Sequence, residues 1–252
     1  MASPVFTRNQ NFKEPSQWKE GYTAPSADGP VMTFENVLNK TIISFGVLVL
    51  AACMGWFLPA LALSSVLIAL VFGMICSFKK EPVPALVLLY AFFEGLALGG
   101  VSGVLNAVSP GIVSQAVIGT LCVVAVILTL YKAGVLRTSP KMTKVFLIAL
   151  LGYTLFSLIN VGLVLTGVVN DAWGLQGAVM IPHTSIPLGI VLGILAVVMA
   201  SYFLVMDFTN VTVGVANRLP ERYGWTAAFG IMVTVVWIYL EILKILSLLN
   251  RR

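Results

Sequence analysis

Charged residues are scarce in this chain: Asp, Glu, Lys and Arg together make up 10% of its 252 residues. A soluble domain usually carries about 25% charged residues and about 45–50% apolar ones. Here 59% of the residues are hydrophobic, and the mean hydropathy is +0.98. The composition excludes an ordinary soluble enzyme and a disordered protein. It also excludes a nucleic-acid-binding domain, despite the net charge of +5.

Cysteine and histidine are also rare. Cys53, Cys76 and Cys122 lie inside apolar runs, and no two of them form a Cys-x-x-Cys pair. We expect them to be buried small hydrophobic residues and not a disulfide framework. The one histidine, His183, lies in a proline-containing connector, where we expect a loop residue. A soft-metal site needs several such ligands, so the sequence predicts no bound cofactor.

Long stretches without charged residues make up most of the chain. Residues 41–78 contain none, and this run of 38 residues is about 57 Å long as a helix, nearly twice the thickness of a bilayer core. The run must fold back, and Leu58-Pro59 is the natural break. The same argument along the chain predicts an all-α polytopic membrane protein with seven transmembrane helices, near 41–58, 60–78, 84–105, 112–131, 143–167, from 187 onward, and 225–249.

Residues 1–40 lack the apolar core of a signal peptide. We predict a flexible cytoplasmic tail and interfacial lead-in over residues 1–40, and one transmembrane domain over residues 41–250. The tail and the connectors after spans two, four and six hold twelve of the fifteen basic residues, and basic residues concentrate on the cytoplasmic side. The C-terminus is then outside, although Lys244, Arg251 and Arg252 lie near it. A re-entrant last segment is the alternative, and we favour the full crossing.

Three acidic residues lie inside the predicted spans: Glu94, Asp207 and Glu241. A charge at the bilayer centre costs at least about 2.5–3.5 kcal/mol on insertion scales, so such residues usually face a bundle interior, an aqueous cavity or a partner. At about 1.5 Å per residue, each lies about 15 Å from the cytoplasmic face, if the sixth span is long and the last span begins with an interfacial turn. The spacing therefore permits the three carboxyls to meet at one level.

Each acid also has a simpler interpretation. Glu94 would hydrogen-bond neighbouring backbone as a neutral acid. Asp207 would be solvated at the end of a shorter sixth span. Glu241 would pair with Lys244, three residues later on its own helix. The sequence leaves these alternatives open.

Two carboxyls that lie close together respond to protons. Two carboxylates about 4 Å apart repel by about 4 kcal/mol at an effective dielectric constant of about 20, so the pair favours one shared proton. The same oxygen ligands suit a hard cation such as Ca²⁺. Protons and Ca²⁺ would compete for such a site.

Small and amide residues supply weaker signals. Gly95, Gly99 and Gly103 recur every four residues on the third span. Such a ridge lets a neighbouring helix approach closely, so we predict helix packing there. Asn160 in the fifth span, like Glu94 in the third, is a candidate for supporting a polar path.

Three motifs resemble those of the Bax inhibitor-1 family, which includes bacterial YccA-like members. They are Tyr90-Ala-Phe-Phe-Glu94-Gly-Leu-Ala-Leu-Gly99 in the third span, Ser201-Tyr-Phe-Leu-Val-Met-Asp207 in the sixth, and Trp237-Ile-Tyr-Leu-Glu241 followed by an apolar run in the last. The resemblance covers about residues 40–249. Two features depart from the family pattern: the last acid is Glu instead of Asp, and residues 218–224 lengthen the connector between the two acids.

The resemblance implies a seven-helix fold whose last helix is enclosed by the other six, in a bacterial inner membrane. It also implies a pH-sensitive Ca²⁺ leak in which Asp207 and Glu241 form the pH sensor and gate and bind Ca²⁺ transiently, with Ca²⁺ as the transported ion and not a cofactor. The predicted partners are the lipid bilayer, Ca²⁺ and protons, and no nucleic acid.

The leading hypothesis is therefore a pH-sensitive Ca²⁺ leak channel and not an enzyme. A cation/proton exchanger that uses the same carboxyls is one alternative, and a regulatory protein that binds other membrane proteins is another. An intramembrane aspartyl protease is disfavoured, because that chemistry needs an aspartate pair in Tyr-Asp and Gly-x-Gly-Asp contexts. Here the acids occur as Val-Met-Asp207 and Tyr-Leu-Glu241.

Overall fold

The computed structural model of the chain describes residues 10–14, 16, 29–79, 81–182 and 186–251. Over these residues it contains helices and connectors without a β-strand, and seven helices are long and apolar enough to cross a membrane. The all-α, seven-helix prediction is thus confirmed, and the enclosure of the last helix by the other six stays a prediction. The helices are α1 (Phe34–Phe57), α2 (Ala62–Phe78), α3 (Pro84–Val108), α4 (Ile112–Lys132), α5 (Pro140–Leu165), α6 (Leu188–Ala216) and α7 (Gly224–Leu249).

The helices end and begin where local chemistry predicts it. Leu58 ends α1, and Pro59 opens a short 3₁₀ turn before α2. Proline suits that position because it lacks an N–H and its fixed φ matches a first helical turn. Gly111 has φ +84° between α3 and α4, a left-handed conformation that favours glycine. Both breaks between helices therefore follow from the residues at these positions.

The first span begins at Phe34, earlier than the predicted start near Thr41. Thr33 caps this end of the helix, since its Oγ1 accepts a hydrogen bond from the Asn36 N–H at 3.1 Å. Such a cap stabilises a helix by about 1 kcal/mol. Residues assigned to an interfacial lead-in are therefore the first turns of α1.

The predicted start of α1 lies too late because the prediction treats Lys40 as a charge outside the span. Its side chain is buried within α1, and its ammonium donates hydrogen bonds to the Glu221 carbonyl oxygen at 2.6 Å and to Asn36 Oδ1 at 2.5 Å. The Glu221 carboxylate lies 3.4 Å from the same ammonium. These partners replace water as hydrogen-bond acceptors of the ammonium, so Lys40 can lie inside α1.

The chain divides into two compact units. One contains the residues up to Val108 together with Phe203–Thr234, and the other contains Ser109–Tyr202 together with the residues from Val235 onward. The first unit holds α1–α3 with the end of α6 and the start of α7. The second holds α4 and α5 with the start of α6 and the end of α7. The sequence predicted a single transmembrane domain over residues 41–250, and did not predict this division.

The described N-terminal residues pack within the first unit. Phe12 is 3% exposed and lies edge-on to Tyr223, with 6.1 Å between ring centroids. Asn217 Nδ2 donates hydrogen bonds to the backbone oxygens of Asn11 and Lys13, each at 2.9 Å. The flexible tail that the sequence predicted over residues 1–40 stays a prediction. Residues 1–9, 15 and 17–28 of that tail lie outside the described residues.

The surfaces of the spans differ in burial. Of the most apolar window of α5, 6% is buried, against 56% in α3. Exposed apolar side chains along such a helix are what a lipid-facing surface requires. Cys53 and Cys122 are exposed as well, and Cys76 is intermediate. The expectation that the cysteines are buried is therefore wrong for Cys53 and Cys122, since their helices turn these positions outward.

Candidate functional site

Three glycines bring α3 into backbone contact with α1. A Cβ at Gly99 would lie 2.7 Å from the carbonyl carbon of Ala52, closer than two carbon atoms can pack. This approach fixes the helix that carries Glu94. The close approaches join Gly95 to Leu48, Gly99 to Ala52 and Gly103 to Trp56.

Glu94 lies directly before this ridge and is of intermediate burial. Among the described residues, its carboxyl has no hydrogen bond or ion pair. Tyr90, one turn earlier, packs edge-on against Phe229 with 5.0 Å between ring centroids. Glu94 and Asp207 belong to the first unit and Glu241 to the second, and the predicted meeting of the three carboxyls stays a prediction.

Asp207 is fully buried, with 0% of its surface exposed. The helix α6 continues to Ala216, so Asp207 is not at the solvated end of a short span. Its four preceding neighbours, residues 203–206, are buried as well. Consecutive helical residues point in different directions around the axis, so a run of five buried residues means that α6 is surrounded on every side at this level.

Among the described residues, the Asp207 carboxyl has one hydrogen-bond donor. Thr234 Oγ1, on α7, donates to Asp207 Oδ2 at 2.6 Å. The other oxygen, Oδ1, is buried and has no hydrogen-bond partner within the part of the chain that the structure describes. No cation pairs with this carboxyl among the same residues. A buried carboxyl with one donor and no countercharge is energetically costly as an anion.

The carboxylate of Glu241, in contrast to that of Asp207, has a cation beside it. Lys244, one helical turn further along α7, places its Nζ 2.5 Å from Glu241 Oε2, and both side chains are almost fully buried. The pairing that the sequence offered as the simpler interpretation of Glu241 is thus present in the structure. An ammonium at this distance neutralises the carboxylate without help from water.

Two aromatic groups complete the environment of Glu241. The Tyr153 hydroxyl of α5 and the Trp237 indole N–H of α7, the latter at 3.2 Å, both donate hydrogen bonds to Glu241 Oε1. Lys244 Nζ also donates to the Tyr153 hydroxyl at 2.9 Å and lies 5.5 Å from the centroid of its ring. Glu241, Lys244 and Tyr153 therefore form a closed triangle of polar contacts inside the second unit.

Asn160 positions a further polar group beside this triangle. Its Oδ1 accepts a hydrogen bond from the Leu175 N–H at 2.7 Å, and its Nδ2 donates to the Trp173 carbonyl oxygen at 3.0 Å. These bonds fix the one-turn helix Leu175–Ala178, whose Gln176 side chain interacts with the Tyr153 hydroxyl. The hydrogen bonds described for Asn160 are therefore made to the connector that contains Trp173 and Leu175. Its predicted role on a polar path stays a prediction.

Several residues of these sites were not singled out from the sequence. Tyr153 is a lone tyrosine in an apolar span, and Thr234 is one of several threonines, so neither stands out. Trp237 had a usable signal, because it lies four residues before Glu241 and i,i+4 side chains are neighbours on a helix. Longer-range pairs such as Thr234 with Asp207 required the structure.

A preformed metal centre is not among the sites found. No group of three or more His, Cys, Asp or Glu side chains comes together within the described residues. His183 lies outside them. Asp207 and Glu241 occur in different units with different partners, and their predicted role as transient Ca²⁺ ligands stays a prediction.

Seven membrane-length helices with buried carboxyl groups define the class: a multi-pass membrane protein with ionisable side chains inside its helices. The particular family follows from a family model described as Bax inhibitor 1 like, which matches residues 3–251. The chain therefore belongs to the Bax inhibitor-1-like family, as its three motifs indicated. No curated protein matches the chain.

Proposed function

We propose that this protein is a pH-sensitive Ca²⁺ leak channel of a bacterial inner membrane, with Asp207 as the proton-sensing group and Glu241 as the second gating carboxyl. The observation that carries the proposal is the complete burial of Asp207 with a single hydroxyl donor. The distribution of basic residues supports a cytoplasmic N-terminus for the proposed channel.

An uncompensated charge inside a membrane protein carries an energetic cost. A carboxylate in an apolar interior is unfavourable unless donors or cations surround it. A proton removes that cost at Asp207, whereas an incoming cation offsets it by supplying the missing countercharge. Proton binding and cation entry are therefore linked at this position, in the way that a pH-regulated leak requires.

Glu241 serves the same function from a different environment. Its ion pair with Lys244 and its two aromatic donors hold it in a defined position on α7. A change at Glu241 must break several polar contacts at once, so this carboxyl is suited to a two-position gate. The family resemblance, which assigns the pH response to both acids, supports a role for Glu241 beside Asp207.

The test is the replacement of Asp207 by Asn in the full-length protein reconstituted in proteoliposomes. We expect the pH dependence of Ca²⁺ flux to disappear, because the amide keeps the size and the polar contact of the carboxyl but does not titrate. Glu81→Gln is the matched control, since Glu81 is an exposed acid in the connector before α3, and it should leave flux and pH response unchanged. Unchanged flux and pH response in Asp207→Asn would refute the proposal.

The same liposomes separate a leak from its alternatives. A cation/proton exchanger would move protons in fixed proportion to Ca²⁺, whereas a leak needs no counter-transport. A regulatory protein that only binds other membrane proteins would give no Ca²⁺ flux above that of empty liposomes. Either result would contradict the proposed channel.

A further inference from the structure

We propose that the Lys244 ammonium acts as a tethered cation that fills a binding site for a hard metal ion, formed by Glu241, Tyr153 and Gln176 in the second unit. A permeating ion would then bind Glu241 by displacing Lys244. This inference deepens the proposed function and rests on it, but the binding that it predicts is measured without ion flux.

The first observation is the geometry around the ammonium. Lys244 Nζ lies 2.5 Å from Glu241 Oε2 and 2.9 Å from the Tyr153 hydroxyl oxygen. Ca²⁺ binds oxygen ligands at about 2.3–2.6 Å. A metal ion placed near the ammonium nitrogen would therefore find its first two ligands with little movement of either side chain.

The second observation is a third oxygen without a partner. Gln176 is 5% exposed, and its Oε1 is buried without a hydrogen-bond partner within the described residues. Its side chain reaches the Tyr153 hydroxyl, so the amide lies at the same cluster. An amide oxygen is a ligand that hard cations accept, whereas an unsatisfied buried acceptor is otherwise a cost.

The negative charge of Glu241 requires a cation beside it. Glu241 contributes the only negative charge among the three oxygen-bearing side chains, and Lys244 neutralises it. Without the ammonium, the buried carboxylate is left uncompensated, which is strongly unfavourable. The lysine side chain has a flexible four-carbon stem, so the ammonium can leave the carboxylate while its Cα stays on α7. The attachment makes the ammonium a permanent competitor of any incoming ion.

The structure supplies its own probe for the test. Trp237 Nε1 lies 3.2 Å from Glu241 Oε1, so a Tb³⁺ ion bound at Glu241 would be excited by energy transfer from this indole, which acts only over short distances. Tb³⁺ is a hard, oxygen-binding substitute for Ca²⁺. The experiment uses full-length protein in lipid nanodiscs, with Tb³⁺ titrated and Ca²⁺ added as the competitor.

We expect Lys244→Gln to lower the Tb³⁺ concentration at half-saturation by at least about tenfold, because the competing charge is gone. Lys244→Arg keeps a tethered cation and should resemble the wild type. Adding Glu241→Gln to Lys244→Gln should abolish the signal through loss of the charged ligand, whereas adding Trp237→Phe should reduce it through loss of one energy donor. A folded Lys244→Gln protein whose Tb³⁺ binding equals that of the wild type would overturn the proposal.

A measurement on the wild-type protein covers the case in which Lys244→Gln does not fold. Saturating Ca²⁺ should increase the labelling of Lys244 by a membrane-permeant amine-reactive ester, read by mass spectrometry, while Lys40 provides an internal control because it binds Glu221 in the other unit. Unchanged labelling of Lys244 would overturn the inference. The flux of Asp207→Asn does not bear on either result, so the two proposals fail separately.

Discussion

The two buried acids of the last two helices, Asp207 on α6 and Glu241 on α7, are stabilised in different ways, one in each unit. Asp207 receives one hydroxyl donor and has no cation beside it among the described residues. Glu241 has an ammonium, a phenol and an indole around its two oxygens. Burial is nearly the same for both, at 0% and 5% exposure. The partners of a buried acid, and not the extent of its burial, therefore decide whether it can respond to protons and cations.

Removing the cation from the second site should produce the largest effect on stability. Lys244→Met leaves the Glu241 carboxylate buried and unpaired, so we expect the free energy of unfolding to fall by about 3–5 kcal/mol. Lys244→Arg keeps the charge and should lose much less. Denaturant titration of the purified protein in micelles measures both, and equal stability of Lys244→Met and wild type would remove the contrast between the two acids.

The number of donors at each acid can be compared directly. Thr234→Val removes the one donor that the described residues give Asp207, and we expect a loss of about 1.5–3 kcal/mol. Tyr153→Phe removes one of several groups around Glu241, and we expect about 0.5–1.5 kcal/mol. Both changes delete a hydroxyl and nearly conserve the shape of the side chain. A larger loss in Tyr153→Phe would contradict the order, with the same unfolding measurement deciding.

Two glycines, one in each unit, differ in how closely a neighbouring helix approaches them. Gly99→Ala places a Cβ against the backbone of Ala52, and we expect a loss of about 1–3 kcal/mol from overpacking. Gly152→Ala on α5 meets no atom within 4 Å. The same substitution there should be neutral or stabilise the helix by up to about 1 kcal/mol. Thermal unfolding of both variants in one detergent provides the comparison, and equal shifts would show that the ridge is not a close contact.

A surface pair gives the smallest expected effect. Arg222 and Glu81 lie 3.4 Å apart, with side chains 50% and 63% exposed. Exposed ion pairs contribute about 0–1 kcal/mol and are weakened by salt. Glu81→Gln should therefore change the midpoint of unfolding little, and less still at high ionic strength. A loss comparable to that of Lys244→Met would mean that exposure does not separate the two pairs.

The spans were predictable because the bilayer imposes a simple requirement on composition. An uncharged run such as residues 41–78 has few alternatives to a pair of helices, and Pro59 marks the turn. The start of α1 was not predictable from charge, because Lys40 is neutralised by Glu221, 181 residues away in the sequence. A charge ends a span only when it lacks a partner, and the sequence alone does not reveal that partner.

The candidate sites were predictable in part for the same reason. Acids inside apolar spans are unusual enough to be noticed, and the pairing of Glu241 with Lys244 follows from their i,i+3 spacing. The contact between Thr234 and Asp207 joins two helices across 27 residues, and the position of Gln176 depends on Asn160 holding a connector. These contacts are set by how helices pack, which the pattern of one helix does not specify.

The docking of the N-terminal residues has a consequence for biosynthesis. Asn11 and its partner Asn217 are 206 residues apart, so a ribosome adding about 5–20 residues per second separates their synthesis by on the order of ten to forty seconds. The early segment must wait beside the membrane until the sixth span has been inserted. Closure of this contact therefore marks a nearly finished polypeptide, and a protease site placed after Lys13 would distinguish newly made chains from mature ones.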